Sequence, residues 1–124
     1  MAYADGFVLS IKKKNLAAYK KLAGVASKVW IEHGALQYCE CVGDDLAPKM
    51  PVPFFAFPKM AKCGKDEVVV FSWILYKNKA QRDRVNKKVM ADKRLTEACD
   101  PKNAPFDMKK MAYGGFKTMV MAVG

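Results

Sequence analysis

The sequence predicts an α+β fold: a four-stranded antiparallel sheet with two helices on one face, in the order β-α-β-β-α-β. Three observations carry this. Four short segments alternate or run apolar with a period of two, at 6–12, about 35–43, 67–77 and 115–123. Two longer segments, about 15–33 and 79–91, repeat apolar residues at spacings of three and four. The third strand segment is apolar on both faces, so both faces of the sheet need cover.

The order is the split βαβ, ferredoxin-like plan, in which the helices cover only one face. A second copy is the simplest cover for the other, with two sheets packed face to face as in a dimeric α/β-barrel. A homodimer through the open sheet face is therefore expected, with residues 1–124 as a single domain.

In the first strand Phe7, Leu9 and Ile11 share one face, and Val8 and Ser10 the other. The first helix carries Leu16, Tyr19, Leu22, Ala23, Ala26, Val29, Trp30 and His33 as one stripe, with Lys20, Lys21 and Lys28 off it. Gly34 stands where that helix should stop, because glycine takes the left-handed conformation without steric penalty. The second strand, ALQYCECV, ends at Asp44 and Asp45. Pro48, Pro51, Pro53 and Pro58 then argue against a regular element up to about Lys65. The run PVPFFAFP within that span is too apolar for a free linker and should pack on the body or on a partner subunit.

In the third strand, EVVVFSWILYK, Val68, Val70, Ser72, Ile74 and Tyr76 oppose Val69, Phe71, Trp73 and Leu75. Asn78 and Gln81 fit a capping box at the start of the second helix. Val85 and Val89 point inward there, while Arg82, Arg84, Lys87 and Lys88 make the rest of the helix basic. A loop through Pro101 and Pro105 follows, with a helical turn near 94–99, and Gly114-Gly115 introduce the last strand.

Apolar residues make up 52% of the chain and charged residues 27%, which excludes a disordered protein. No apolar run approaches the ~18 residues of a membrane span. The opening MAYADGFVLSIKKK places its acid before the apolar run and its basic cluster after it, the reverse of a secretory signal. The four cysteines form no Cys-x-x-Cys knuckle, so a cytoplasmic protein with reduced thiols is expected. A net charge of +10 invites an anionic partner, and its plainer reading is a solvated lysine-rich surface.

Four blocks carry a resemblance: YADGFVLSIKKKNLAAY, VWIEHGALQYCECVGDD, VVVFSWILYKNKAQRDRVNKKVMAD and PFDMKKMAYGGFKT. Together they resemble the bacterial YbaA-like family of unknown function, within the dimeric α/β-barrel superfamily, over nearly the full length. The resemblance implies the ferredoxin-like fold and a dimer, and implies no reaction. Haem-cleaving members of the superfamily pair an Asn on the first strand with a Trp on the third and a His on the second helix. Trp73 lies in a comparable strand, but the first strand offers Ser10 and the second helix has no histidine. No haem or other cofactor is expected.

The stretch EHGALQYCECVGDD gathers His33, Cys39, Cys41 and four carboxylates. His33 falls in the last turn of a helix, where the dipole favours a cation. Cys39 and Cys41, two apart on a strand, should stand roughly 6.5–7 Å apart, too far for a disulfide and awkward for one zinc. No metal site is expected. A histidine-activated nucleophile would have to use His33, and no nucleophile elbow, phosphate loop or dinucleotide fingerprint is present.

A small organic molecule held in a pocket of the barrel is the best functional reading, with or without a reaction. Tyr19, Trp30, His33, Tyr38, Glu40, Trp73 and Arg84 are its candidate lining residues. A second reading is association with RNA or another nucleic acid through Arg82, Arg84, Lys87 and Lys88. The third strand lacks the basic start, glycine and aromatic spacing of an RNA-recognition motif, so specific recognition is not expected. A third reading is a structural or interaction protein with no ligand. The block 105–117 is a further candidate, and its plain reading is that Gly114 and Gly115 give a bulge or tight turn while Phe106 docks on the sheet.

Overall fold

The period-two segments pair into one sheet in the order β2-β3-β1-β4, with every neighbouring pair antiparallel. The computed structural model describes residues 2–99, 102 and 104–124. In chain order the elements are β1 (Tyr3–Lys12), α1 (Leu16–Glu32), β2 (Gln37–Val42), α2 (Phe57–Met60), β3 (Glu67–Tyr76), α3 (Lys79–Met90), α4 (Lys93–Ala98) and β4 (Ala112–Lys117). This is the expected ferredoxin-like plan with two short helices added.

Register sets the faces. Leu9 pairs with Val70, Asp5 and Tyr38 both pair with Ile74, and Glu40 pairs with Ser72. These residues all project toward α1 and α3. Phe71, Trp73, Cys39, Cys41 and Phe116 take the alternate positions and project to the other face.

Local chemistry ends the helices as expected. Gly34 adopts φ 118°, and the amides of Gly34 and Ala35 turn back onto the carbonyls of Ile31 and Trp30. Asn78 caps α3 by accepting from the Gln81 amide at 2.8 Å. The Gln81 side chain reaches back to the Lys77 amide, one residue short of a reciprocal capping box. The turn expected near 94–99 is α4, whose first amides are capped by Asp92. Pro101, expected in the following loop, lies outside the described residues.

The last strand is a correction. The glycine pair does not introduce it; Gly114 and Gly115 lie inside β4, opposite Gly6 and Asp5. The reason is a ring, not a turn. A Cβ on Gly115 would come within 2.8 Å of the Tyr3 ring carbon Cζ. Glycine lets that ring cross the strand. Residues 118–123, expected as strand, form no ladder; Thr118 bonds back to the Ala2 carbonyl and the chain bends at Met119 and Val120.

The helix side of the sheet holds the core in two clusters. One gathers Ala26, Val29, Ile74, Tyr76, Val85, Val89 and Leu95; the other gathers Leu9, Ile11, Tyr19 and Val70. The opposite face is covered only at one end. There Phe57 packs edge-on against Phe71, and Ser10 donates to the Ala61 carbonyl at 2.8 Å. This is the proline-rich segment docking on the body, while its Val52, Phe54 and Phe55 stay exposed.

Candidate functional site

Between the two core clusters lies a cavity of about 580 Å³. Leu9, Tyr19, Ala26, Ile74 and Leu95 line it from both clusters, and Phe106, Met108 and Met111 close a further side. Met90 and Met108 are exposed at its border, where unbranched, polarisable side chains can adapt to different shapes. Among the lining residues Glu40 is the only carboxylate.

Glu40 reaches the cavity because even positions of β2 face the helices, as its pairing with Ser72 shows. Two phenols hold it. Tyr19, from the buried stripe of α1, donates to Oε1 at 2.8 Å. Tyr38, two residues along the same strand face, donates to Oε2 at 2.8 Å. Burial and the neighbouring carboxylate push both hydroxyls far above the usual tyrosine range, so they remain protonated donors at any ordinary pH. Tyr19 is braced edge-on by Phe106, and Tyr38 packs on Trp30 at 5.8 Å. The result is a clamped carboxylate in an otherwise apolar wall, with acceptor capacity left on both oxygens.

Trp30 joins this wall to a second polar cluster. Its Nε1 donates to Tyr76 Oη and Asn86 Oδ1, each at 3.1 Å. Beyond them lies Asp5, 1% exposed, close to Tyr113, Tyr76 and Asn86. Arg82 turns inward to it, 3.5 Å from Oδ1, and donates to Tyr113 at 2.9 Å and to Tyr3 at 3.1 Å. Burial raises the Asp5 carboxyl above its ordinary range, with Arg82 opposing. This cluster was not anticipated. Its signal in the sequence is an acid, Asp5, in phase with the inward-facing Phe7, Leu9 and Ile11.

Of the seven pocket candidates, Tyr19, Trp30, Tyr38 and Glu40 come together in the cavity. Trp73 borders it from the strand, but its ring stands on the opposite face, beside Phe71 at 5.8 Å, with Nε1 donating to Gln37. His33 is not a lining residue. It pairs with Asp92 at 2.8 Å, and Arg94 ties Asp92 to Glu32, so the histidine fastens the end of α1 to the start of α4. That bond positions a wall, because Leu95, Thr96 and Cys99 from α4 and its end line the cavity. Arg84 is exposed on the outer side of α3, away from the cavity.

Of the four basic candidates, Arg84, Lys87 and Lys88 are exposed, while Arg82 is committed to the Asp5 cluster. Among the described residues no group of three or more His, Cys, Asp or Glu side chains could hold a metal ion. Among them, too, no helix is long and apolar enough to cross a membrane.

The chain is similar to proteins along its whole length. The family described as "Protein of unknown function (DUF1428)" matches residues 2–108. Uncharacterized protein YbaA of Escherichia coli K12 is 39% identical over 121 residues, covering 97% of this chain and 98% of that one. YbaA of Shigella flexneri aligns equally well. Among solved structures, SnoaB of Streptomyces nogalater, a cofactor-independent oxygenase, superposes with a TM-score of 0.54 at 7% identity, covering 97% and 95% of the two chains. A nipsnap family protein of unknown function from Agrobacterium tumefaciens gives 0.55 at 12% identity, covering 94% and 87%. At such identities the likeness is one of fold alone.

Proposed function

The chain belongs to this DUF1428 family, whose description assigns no activity, and we propose its function from the cavity instead: it binds a small, mostly apolar organic molecule that donates one hydrogen bond to Glu40. The observation that carries this is the Glu40 carboxylate, clamped by Tyr19 and Tyr38 at 2.8 Å each in the wall of an apolar space of about 580 Å³. The space is of drug-sized volume, and one convergent polar group in an apolar lining is the usual make-up of an organic ligand site. The phenols satisfy one acceptor position on each oxygen and leave the rest for a ligand hydroxyl or N–H. In so apolar a setting that bond is worth more than in water. Where the molecule is transformed rather than only held, Glu40 is the group to accept its proton.

The test is a thermal-shift comparison of matched neutral probes. 2-Naphthol should raise the melting temperature, and 2-methoxynaphthalene, which cannot donate, should raise it less. Equal shifts would remove Glu40 from the recognition.

Function in this reading belongs to a cytoplasmic homodimer joined through the open sheet face. Phe71 at 43% and Phe116 at 61% exposure stand on that face, and Met119, Val120 and Val123, which follow β4 in the chain, are exposed. A monomer rarely leaves so much apolar surface in water. Sedimentation at micromolar concentration should give twice the chain mass. The nucleic-acid reading has weaker support: it rests on the net charge of +10 and on Arg84, Lys87 and Lys88 alone. A salt-steep RNA mobility shift abolished by reversing those three charges would favour it.

A further inference from the structure

Cys39 and Cys41 flank Glu40 on β2, and by alternation they stand on the face opposite to it. Their sulfurs are 3.8 Å apart. The strand spacing that argued against a bridge measures the bases of the side chains. The two chains lean together, and that brings the sulfurs into contact. Cα atoms two residues apart in a strand lie roughly 6.6 Å apart, at the wide end of what a disulfide spans. A disulfide also needs its Cβ atoms roughly 3.5–4.5 Å apart, so the bridge closes only when this edge strand bends out of the extended form, and it closes under strain. Strained, exposed disulfides are the labile ones in exchange equilibria. Cys41 is exposed and Cys39 partly so, and β2 is an edge strand, at the margin of the face assigned to a second copy.

We infer that Cys39 and Cys41 form a reversible dithiol–disulfide couple that exchanges with a low-molecular-weight disulfide such as oxidised glutathione. The thiolate of the more exposed Cys41 attacks one sulfur of the glutathione disulfide and releases one glutathione. Cys39 then attacks the Cys41 sulfur, closes the intrachain bond and releases the second glutathione. Two electrons pass to the glutathione disulfide, and the hydrogens of the two protein thiols end on the two glutathiones. The Cys39 thiol is pushed up by burial and by Cys41 beside it, which suits the second, resolving role. Because the ring closes around Glu40, oxidation should also shift that carboxylate against Tyr19 and Tyr38. This last step rests on the cavity reading; formation of the couple does not.

The test uses the full chain, equilibrated in glutathione buffers of rising disulfide content, acid-quenched, alkylated, digested and weighed. At the oxidising end the peptide holding both cysteines should carry no alkyl group and weigh two hydrogens less than the unmodified dithiol, and dithiothreitol before alkylation should restore both alkyl groups. Tryptophan fluorescence should fall in step, since Trp73 lies directly opposite Cys39. The Cys41→Ser variant should show no such mass loss and carry at most one glutathione on this peptide. Alkylation of both sulfurs at every ratio, or two stable glutathiones on the wild-type peptide, would overturn the couple. If the bond forms and 2-naphthol affinity is the same in both redox states, the link to Glu40 falls while the couple stands.

Discussion

The two faces of the sheet are both apolar along β3 and are finished differently in the fold. On the helix side Leu9, Val70, Ile74 and Tyr76 are sealed against α1 and α3, and the packing leaves one space, into which a single carboxylate points. On the other side Phe71 and Trp73 lie beside two thiols and Phe116 stands on the far edge strand, with only the α2 segment for cover. Apolar area on the first face is removed from water by the chain itself and supports folding; on the second, large apolar side chains such as Phe71 and Phe116 stay exposed.

The contrast can be broken from either side. The largest effect expected is on the sealed face. Leu9→Ala, at a residue 1% exposed, should lower the unfolding free energy by about 2–5 kcal/mol in urea titration. The association state should be preserved wherever the variant is folded. Phe71→Lys should do the reverse: weaken self-association at least about tenfold, roughly 1.4 kcal/mol, in a sedimentation dilution series, with a smaller change in the unfolding of the monomer. If Phe71→Lys unfolds the chain as Leu9→Ala does, the faces are not divided in this way.

A smaller effect separates two carboxylates on the helix side. Arg94 and His33 hold Asp92 well below the usual carboxylate range. Its contribution is therefore fully present above its unfolded pKa of about 4 and lost as the pH falls below it. Asp5 has the opposite sign, because burial favours its protonated form; its penalty appears as the pH rises through about 4 and is relieved in acid. Between pH 6 and pH 3 the drop in urea midpoint should be shallower in Asp92→Asn and steeper in Asp5→Asn than in the wild type. Parallel drops in all three would refute both assignments.

Much of this was legible in the residues. The stripe of α1 gives Tyr19, and the alternation of β2 puts Tyr38 and Glu40 on one face; that this face meets the helices is set by its pairing with β3. Trp73 could have been excluded by the same rule, since it alternates with Ser72 and Ile74. Arg82 was legible too: it stands three and seven residues before Val85 and Val89, on their inward stripe, whereas Arg84 does not. Other features needed three dimensions. Nothing local distinguishes a glycine pair that makes a turn from one that lets the Tyr3 ring pass, so β4 was read three residues late. The partners of His33 and Asp5 lie far along the chain, at Asp92 and Arg82, and only the packing of α3 and α4 brings them in.

The most direct measurement is calorimetric titration of 2-naphthol and 2-methoxynaphthalene into the wild type and Glu40→Gln. Wild type should prefer the naphthol by about 10- to 100-fold, the worth of a hydrogen bond to a charged acceptor. Glu40→Gln should bind both probes with nearly equal, weak affinity, because its amide nitrogen faces a tyrosine donor where an oxygen had accepted. An unchanged preference in Glu40→Gln, or no binding of either probe to the wild type, would contradict a ligand site built on this carboxylate.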